Sequence, residues 1–392
     1  MANLQYGWNL FVDPIDAQYH WGRPAIQVAF ALFVLTETWL IPIEGWFVDH
    51  FGPRVVVMAG GILVAVAWVI NAYASSLFLL YLAAVVAGIG AGAVYGTCVG
   101  IALKWFPDRR GLAAGLTAAG FGAGAAATVV PIREVISSHG YQTAFLWFGI
   151  GQGLALVILS QLLRAPKPGE ANAPAQRRVQ QTTRDHSPAE LVRSPLFWVL
   201  YVMFVAVAAP GIALTAQLAS VAKDFGVADS PIVMFGVAGT ALTLALTIDN
   251  VLNGLARPFF GWVSDHIGRE VTMFIVFCAG AVSMLGLGYL GTDPIMFLAF
   301  GGLVYFTWGE IYSLFPATCT DAFGTRYATT NAGMLYTAKG TAALLVPLAS
   351  LVVVQTGSWH VVFVVAAVLD LVAAVMALTM LEPMLRAAIQ RG

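Results

Sequence analysis

The stretch GWFVDHFGPR at residues 45–54 returns later in the chain as GWVSDHIGRE at residues 261–270. The two copies share the pattern G-W-x-x-D-H-x-G and lie 216 residues apart. A second, weaker repeat relates GLTAAGFG at 115–122 to GMLYTAKG at 333–340, at an offset of 218 residues. Repeats at a nearly fixed offset in two hydrophobic halves are typical of duplicated transporter folds, whose binding site lies between the halves.

The composition indicates a membrane protein. Of the 392 residues, 59% are hydrophobic and 10% are charged, whereas about 25% of the residues in a soluble globular chain are charged. The net charge of −1 argues against a nucleic-acid partner. The three cysteines, Cys98, Cys278 and Cys319, are widely separated in apolar runs, and their spacing suggests neither a metal site nor a disulfide framework.

Eleven apolar runs are long enough to cross a bilayer, which takes about 20 residues. The opening MANLQYGWNLFVDP has too few apolar residues to span alone. It looks like the outer half of a twelfth span, so we expect the reading frame to start upstream of Met1. The predicted spans are 24–48, 54–75, 77–104, 111–136, 143–163, 196–221, 232–263, 270–291, 294–316, 329–354 and 359–381.

The distribution of Lys and Arg indicates the orientation in the membrane. Fourteen of the nineteen fall at one side of the spans, and only Arg23, Arg133 and Lys223 fall at the other. The positive-inside rule makes the first side cytoplasmic. The polar stretch 164–190 reads as a linker on that side, and the C-terminus lies there too. The predicted segments are an N-terminal helical half at 1–163, a cytoplasmic linker at 164–193 and a C-terminal helical half at 194–392.

The motif G-x-x-x-D-x-x-G-[PR]-R after the second span resembles the loop signature of the major facilitator superfamily, and its second copy fits too. A closer resemblance is to the oxalate/formate antiporter family of that superfamily. It rests on charged and aromatic positions as well as apolar ones. The stretches that carry it are QYGW at 5–8, residues 92–124, 250–269 and 306–324, and AKGTA at 338–342.

The resemblance implies an all-α membrane protein with the major facilitator fold, in which two pseudo-symmetric halves of six helices give twelve spans. It also implies a secondary active transporter that exchanges oxalate for formate by alternating access across the cytoplasmic (inner) membrane. Two solute gradients drive such exchange, so we expect no cofactor, and we expect a functional monomer in the bilayer. The sequence contains no nucleophile elbow, metal-ligand helix or nucleotide-binding loop, which argues against a membrane enzyme. The linker leaves no room for the signalling domain of a receptor.

Two bases fall inside predicted spans. Arg257 precedes Asp265 of the second motif copy by eight residues, which places it about 12 Å above the cytoplasmic turn, and Lys339 lies about 15 Å deep. An unpaired cation at that depth is costly, so each should meet a negative group. Two cations at one cavity suit a small dicarboxylate, and the resemblance implies that these two are the charge partners of the substrate. The alternative is a structural ion pair with a helix acid.

The resemblance also implies that polar and aromatic side chains line the site. Phe121 stands where the antiporter family has a tyrosine, so one hydroxyl is lost. For each aromatic residue taken alone, packing is the alternative. The predicted lining residues are Gln5, Tyr6, Gln27, Tyr95, Phe121, Asn253, Trp308 and Tyr312. The motif loops are predicted to gate the cavity through Asp49, Gly52, Arg54, Asp265, Gly268 and Arg269.

Four acids, Glu37, Glu44, Asp249 and Glu310, stand where the antiporter family has uncharged residues. We place Asp249 near the outer surface and Glu44 near the inner one. Glu37 lies near the midplane, and Glu310 stands between Trp308 and Tyr312 in the sequence. A carboxylate near the two cations would weaken dianion binding, or would take up a proton and couple transport to pH. The alternative function is therefore a proton-coupled transporter of another small mono- or dicarboxylate, with Glu37 or Glu310 as the coupling residue.

Overall fold

The computed structural model describes Leu4 and residues 7–167, 170–171, 179–234, 237–345, 349, 352–353 and 355–390. This part of the chain is helical apart from one short β-hairpin. The first half contains α1 (Asn9–Tyr19), α2 (Arg23–Trp39), α3 (Ile41–Phe51), α4 (Pro53–Ala72), α5 (Leu77–Trp105), α6 (Arg110–His139) and α7 (Tyr141–Ser160). The rest contains α8 (Pro188–Arg193), α9 (Pro195–Asp224), β1 (Pro231–Met234), β2 (Val237–Thr240), α10 (Ala241–Ile267), α11 (Arg269–Leu290), α12 (Pro294–Trp308), α13 (Ile311–Phe323), α14 (Ala328–Ala343), α15 (His360–Met376), the π-helix Ala377–Leu381 and α16 (Glu382–Gln390).

Among the described residues, eight helical segments are long and apolar enough to cross a membrane, and α2 with α3 form a ninth when counted as one bent span. The bend is 43° and falls at Leu40. Pro42 lies in the first turn of α3, where it has no N–H for the preceding turn and its ring prevents a continuous helix. A second break separates α12 from α13 within the span that runs from Pro294 to Phe323.

The predicted span 232–263 is wrong at its beginning. The strands β1 (Pro231–Met234) and β2 (Val237–Thr240) pair in an antiparallel arrangement, and α10 starts only at Ala241. Thr240 caps α10 by accepting a hydrogen bond from the N–H of Thr243, which fixes the start of the helix. The β-branched Ile232 and Val233 favour the strand that precedes it.

The two halves contact each other at the end of the bundle where the linker lies, which we call the linker side. Gly111 and Gly115 of α6 pack against the backbone of α10, at Gly261 and Arg257 respectively. A glycine is needed at such points because a Cβ would overlap the neighbouring carbonyl. Gly122 lies two turns further on the same face of α6, and no described atom approaches within 4 Å of the position of its Cβ. Among the described residues, α6 therefore packs tightly on α10 at Gly111 and Gly115 but not at Gly122.

The linker docks on the closed end. The backbone N–H groups of Thr182 and His186 donate to carbonyls of α13, 2.9 Å away in each case. Gln181 reaches the first half by donating to the carbonyl of Pro107 over 2.6 Å. Ser187 and Glu190 form a capping box at the start of α8. The linker is thus tied to both halves on the side where they meet.

The largest buried apolar cluster crosses the boundary between the halves. It joins residues of α5, such as Val99 and Leu103, to Phe204 of α9 and Phe315 of α13. The packing of this cluster helps to hold the linker side closed. Tyr95 and Tyr312 belong to the same cluster, and Phe121, Trp308 and Tyr336 pack against it.

Candidate functional site

Arg257 lies on α10 in the boundary between the halves and is 4% exposed. Its Nη1 donates to the carbonyl of Ala118 on α6 over 2.7 Å, and its Nη2 donates to Oδ1 of Asn253 over 2.8 Å. Asn253 is one turn earlier on the same helix and is itself held by a bond from its Nδ2 to the carbonyl of Tyr305. The guanidinium carbon lies 4.5 Å from the ring centroid of Tyr312. The side chain is therefore fixed by both halves and stacked on an aromatic ring.

Lys339 reaches the same aromatic ring from α14. Its Nζ is 5.7 Å from the centroid of Tyr312, donates to the hydroxyl of Tyr336 over 3.2 Å, and lies 3.8 Å from Oε2 of Glu37. The distances from Arg257 and Lys339 are measured to the same ring centroid. The two cationic groups therefore lie at most 10.2 Å apart, which is the sum of the two distances. The structure thus brings the two intramembrane bases into one site.

Aromatic rings from both halves connect around the two cations. Tyr95 lies 5.1 Å from Phe121 and 5.5 Å from Tyr336, measured between ring centroids. Tyr312 lies 6.3 Å from Tyr336 and 5.7 Å from Trp308. Five rings therefore form a continuous wall, in which cation–π attraction adds to the ion pairing.

The structure differs from the sequence prediction in several site residues. Tyr336 was missed, although its position three residues before Lys339 puts both on one face of α14. Gln5, Tyr6 and the side chain of Gln27 lie outside the described residues. Their predicted place in the lining stays a prediction.

The acids separate into two environments. Glu37 is 1% exposed and faces the site through Lys339. Glu310 is fully buried at the break between α12 and α13, and Asp370 on α15 of the second half is close enough to act on it electrostatically. Glu310 therefore faces the interior of the second half.

The other two acids are also buried. Asp249 is 1% exposed and its carboxyl lies beside Gly301 and Gly302. It is eight residues into α10, or about 12 Å from the start of that helix. Glu44 is 8% exposed and packs against Gly92 of α5. The predicted depths of these two acids in the membrane stay predictions.

The second motif copy connects the halves through Asp265. Its two carboxylate oxygens accept hydrogen bonds from the N–H groups of Gly111 and Leu112, at 3.0 and 2.9 Å. These donors are in the first turn of α6, where N–H groups have no partner within the helix and the helix dipole favours an anion. Arg269 holds the same carboxylate through its Nη1 at 2.6 Å. Asp321 on α13 then joins Arg269 to Arg110 of the first half, at 2.9 and 2.7 Å.

The first motif copy makes the reciprocal contact. Asp49 accepts hydrogen bonds from the N–H and the hydroxyl of Thr330, in the first turn of α14, at 3.0 and 2.7 Å. Lys104 pairs with the same carboxylate at 2.7 Å. Each motif aspartate therefore caps a helix of the opposite half.

The glycines of the two motif copies share a backbone conformation, whereas the arginines differ in burial. Gly52 and Gly268 have positive φ angles of 84° and 99°, which explains why glycine stands at both turns. Arg269 is buried in the network, whereas Arg54 is exposed and no described hydrogen bond or ion pair involves it. Of the two arginines predicted to gate the cavity, Arg269 lies in a described network between the halves, whereas the gating role of Arg54 stays a prediction. Sequence reasoning also missed the pair between Arg110 and Asp321.

Comparison with known proteins identifies the family. The sequence model of the Major Facilitator Superfamily matches residues 5–338 and residues 230–389. The chain belongs to this superfamily. It is similar to the oxalate:formate antiporter of Oxalobacter formigenes, with 34% identity over 374 residues, 95% of this chain and 86% of the relative. It is also similar to monocarboxylate transporter 4 of Gallus gallus, with 26% identity over 76% of this chain and 62% of the relative.

Solved structures agree with the superfamily fold. The proton:xylose symporter XylE, bound to 6-bromo-6-deoxy-D-glucose, superimposes with a TM-score of 0.70 over 97% of this chain and 94% of that chain, at 12% identity. The predicted all-α membrane fold and the resemblance to the antiporter family are thus confirmed. Because its relatives are superfamily transporters, the chain is a multi-pass membrane transporter and not an enzyme.

Proposed function

We propose that this transporter exchanges oxalate for formate across the cytoplasmic membrane by alternating access. The carrying observation is that two buried cations, Arg257 and Lys339, flank the ring of Tyr312 between the two halves. The similarity to an oxalate:formate antiporter supports the choice of anions. A buried cation costs about 2.5–3.5 kcal/mol on insertion scales, and a carboxylate that pairs with it offsets this cost.

The two cations have different chemistry toward a carboxylate. The guanidinium of Arg257 is planar and can present two parallel N–H groups, while Lys339 is a point charge on a flexible stem. A dicarboxylate between them would place one carboxylate on each. The rings of Tyr95, Trp308 and Tyr312 would exclude water and strengthen these contacts.

The motif contacts supply a gate for the proposed cycle. Asp49 and Asp265 each cap a helix of the other half, so both caps must break when the linker side opens. We assign Gly52 and Gly268 to the turns that position these caps, and Arg269 to the network that holds Asp265. The concentration of positive residues on the linker side supports a cytoplasmic linker and C-terminus. Since one chain supplies the whole site, we propose a functional monomer.

A second candidate is proton-coupled transport of another small mono- or dicarboxylate. The observation that favours it is Glu37, which lies 3.8 Å from Nζ of Lys339. A substrate that takes Lys339 would leave this buried carboxylate unpaired and ready to take up a proton.

Reconstituted liposomes separate the two candidates. Uptake of labelled oxalate is measured with formate, oxalate or no anion inside, with and without a pH gradient. Exchange predicts uptake that requires an internal anion and ignores the pH gradient. Uptake into empty liposomes that follows the pH gradient supports the second candidate and contradicts exchange.

Variants test the site itself. We expect Arg257→Gln and Lys339→Gln to abolish dianion transport and to leave the amount of protein in the membrane unchanged. Arg133→Gln removes an exposed charge and serves as the matched control. Full transport by Lys339→Gln would contradict the pairing of this lysine with the substrate.

A further inference from the structure

The charged side chains of the site are not limited to the two cations. Glu37 on α2 and Lys339 on α14 come from opposite halves, and their side chains are 1% and 6% exposed. We propose that Glu37 sets the balance between mono- and dicarboxylates at this site. This inference rests on the proposed carboxylate site and specifies the charge of the substrates that the site prefers.

The geometry makes Glu37 a competitor of the substrate. The separation of 3.8 Å between Oε2 and Nζ is an ion pair without a hydrogen bond, while the hydroxyl of Tyr336 accepts from Nζ at 3.2 Å. The formal charges of Arg257, Lys339 and Glu37 sum to +1, where the two cations alone would give +2.

A site of charge +1 is neutralised by one carboxylate. The second carboxylate of a dianion must instead compete with Glu37 for Lys339 and approach a like charge in a medium of low dielectric constant. Relative to a site with only the two cations, Glu37 therefore raises the affinity for a monocarboxylate compared with a dicarboxylate.

The fold holds Glu37 in place by close packing of the bent span on α5. A Cβ at Gly88 would lie 2.6 Å from the carbonyl of Phe33 and 3.0 Å from the N–H nitrogen of Glu37. A Cβ at Gly92 would lie 2.7 Å from the carbonyl of Glu37 and 2.8 Å from the carboxyl of Glu44. Because only glycine fits at both points, the backbone of Glu37 has a fixed position against α5.

Binding to the purified protein tests the proposal. Dissociation constants of formate and acetate are compared with those of oxalate and malonate at one pH. We expect Glu37→Gln to shift the ratio of oxalate to formate affinity toward oxalate by about tenfold or more. Glu310→Gln is the matched control, because it removes a buried acid of the second half without a described contact to Lys339. An unchanged ratio in Glu37→Gln, or an equal shift in Glu310→Gln, would overturn the proposal.

A charge-rescue experiment keeps the test decisive if Glu37→Gln is unstable, since that variant leaves Lys339 without its acid. Lys339→Gln reduces the site charge to zero and should lose carboxylate binding. The double variant Glu37→Gln/Lys339→Gln restores a charge of +1 and should recover formate binding but not oxalate binding. If the double variant does not recover formate binding, the role of Glu37 is overturned. If the unmodified protein binds neither formate nor oxalate, the proposed function is overturned as well.

Discussion

The ion pair between Arg110 and Asp321 should have a large effect on the conformational equilibrium. Nη1 of Arg110 lies 2.7 Å from Oδ1 of Asp321, and the two side chains are 4% and 0% exposed. Arg110 begins α6 in the first half and Asp321 belongs to α13 in the second, so opening the linker side must break this bond. Replacing Arg110 by Leu leaves Asp321 paired with Arg269.

The size of the effect follows from the type of bond. A hydrogen bond to a charged group contributes about 1.5–3 kcal/mol. If the substitution removes this stabilisation from the closed form alone, Arg110→Leu shifts the equilibrium between the closed form and the form open on the linker side by about 10- to 150-fold toward opening.

Distance measurements between spin labels test this in a cysteine-free background. Phe51 and Ile267 are suitable labelling positions, because they are exposed and equivalent in the two motif copies. We expect Arg110→Leu to add a population with a longer distance. Arg109→Leu is the control, since that arginine is 68% exposed and pairs with Asp108 at 3.4 Å. An unchanged distance distribution in Arg110→Leu, or the same change in Arg109→Leu, would refute the reasoning.

Three other substitutions have distinct expected results. Gly115→Ala places a methyl group on the carbonyl of Arg257 and should destabilise the closed form by about 1–3 kcal/mol. The same spin labels measure this change, and Gly122→Ala, where no described atom is near, should leave the distance distribution unchanged. Arg257→Lys cannot reproduce the two guanidinium hydrogen bonds. In equilibrium binding measurements it should weaken oxalate binding at least about tenfold, which corresponds to about 1.4 kcal/mol. Oxalate affinity equal to that of the unmodified protein would contradict the role assigned to Arg257. Glu310→Gln should leave the oxalate-to-formate affinity ratio unchanged, because this acid faces the second half, and a shift as large as that of Glu37→Gln would place it in the site.

The sequence was informative where a signal is local or repeated. The duplicated turns, with a glycine at positive φ in each copy, predicted the two-half fold. Arg257 and Lys339 could be placed because a base in an apolar span is rare and its depth follows from helical rise. Tyr336 could have been predicted from its spacing to Lys339 on the same helix.

The contacts that the sequence did not reveal depend on how helices rotate and where they break. Which of Glu37 and Glu310 faces the cavity depends on the bend at Leu40 and on the interruption before Ile311. Arg110 and Asp321 are 211 residues apart, and no local pattern relates them. The same is true of the caps formed by the motif aspartates, whose partners are backbone N–H groups and therefore leave no residue-type signal.

The contacts of the two cations suggest how substrate binding and gate opening are coupled. In the closed arrangement Arg257 binds the carbonyl of Ala118 and Lys339 pairs with Glu37, so each cation of the second half holds a group of the first half. Arg257 and Asp265 lie on one helix, about 12 Å apart, and their partners Ala118 and Gly111 lie about 10.5 Å apart on α6. A carboxylate that takes the guanidinium from Ala118 removes one of the three described hydrogen bonds between the same pair of helices. We infer that substrate binding thereby weakens the attachment of α6 to α10 and shifts the population toward opening of the linker side, because a ligand shifts an equilibrium only through contacts that differ between its two states.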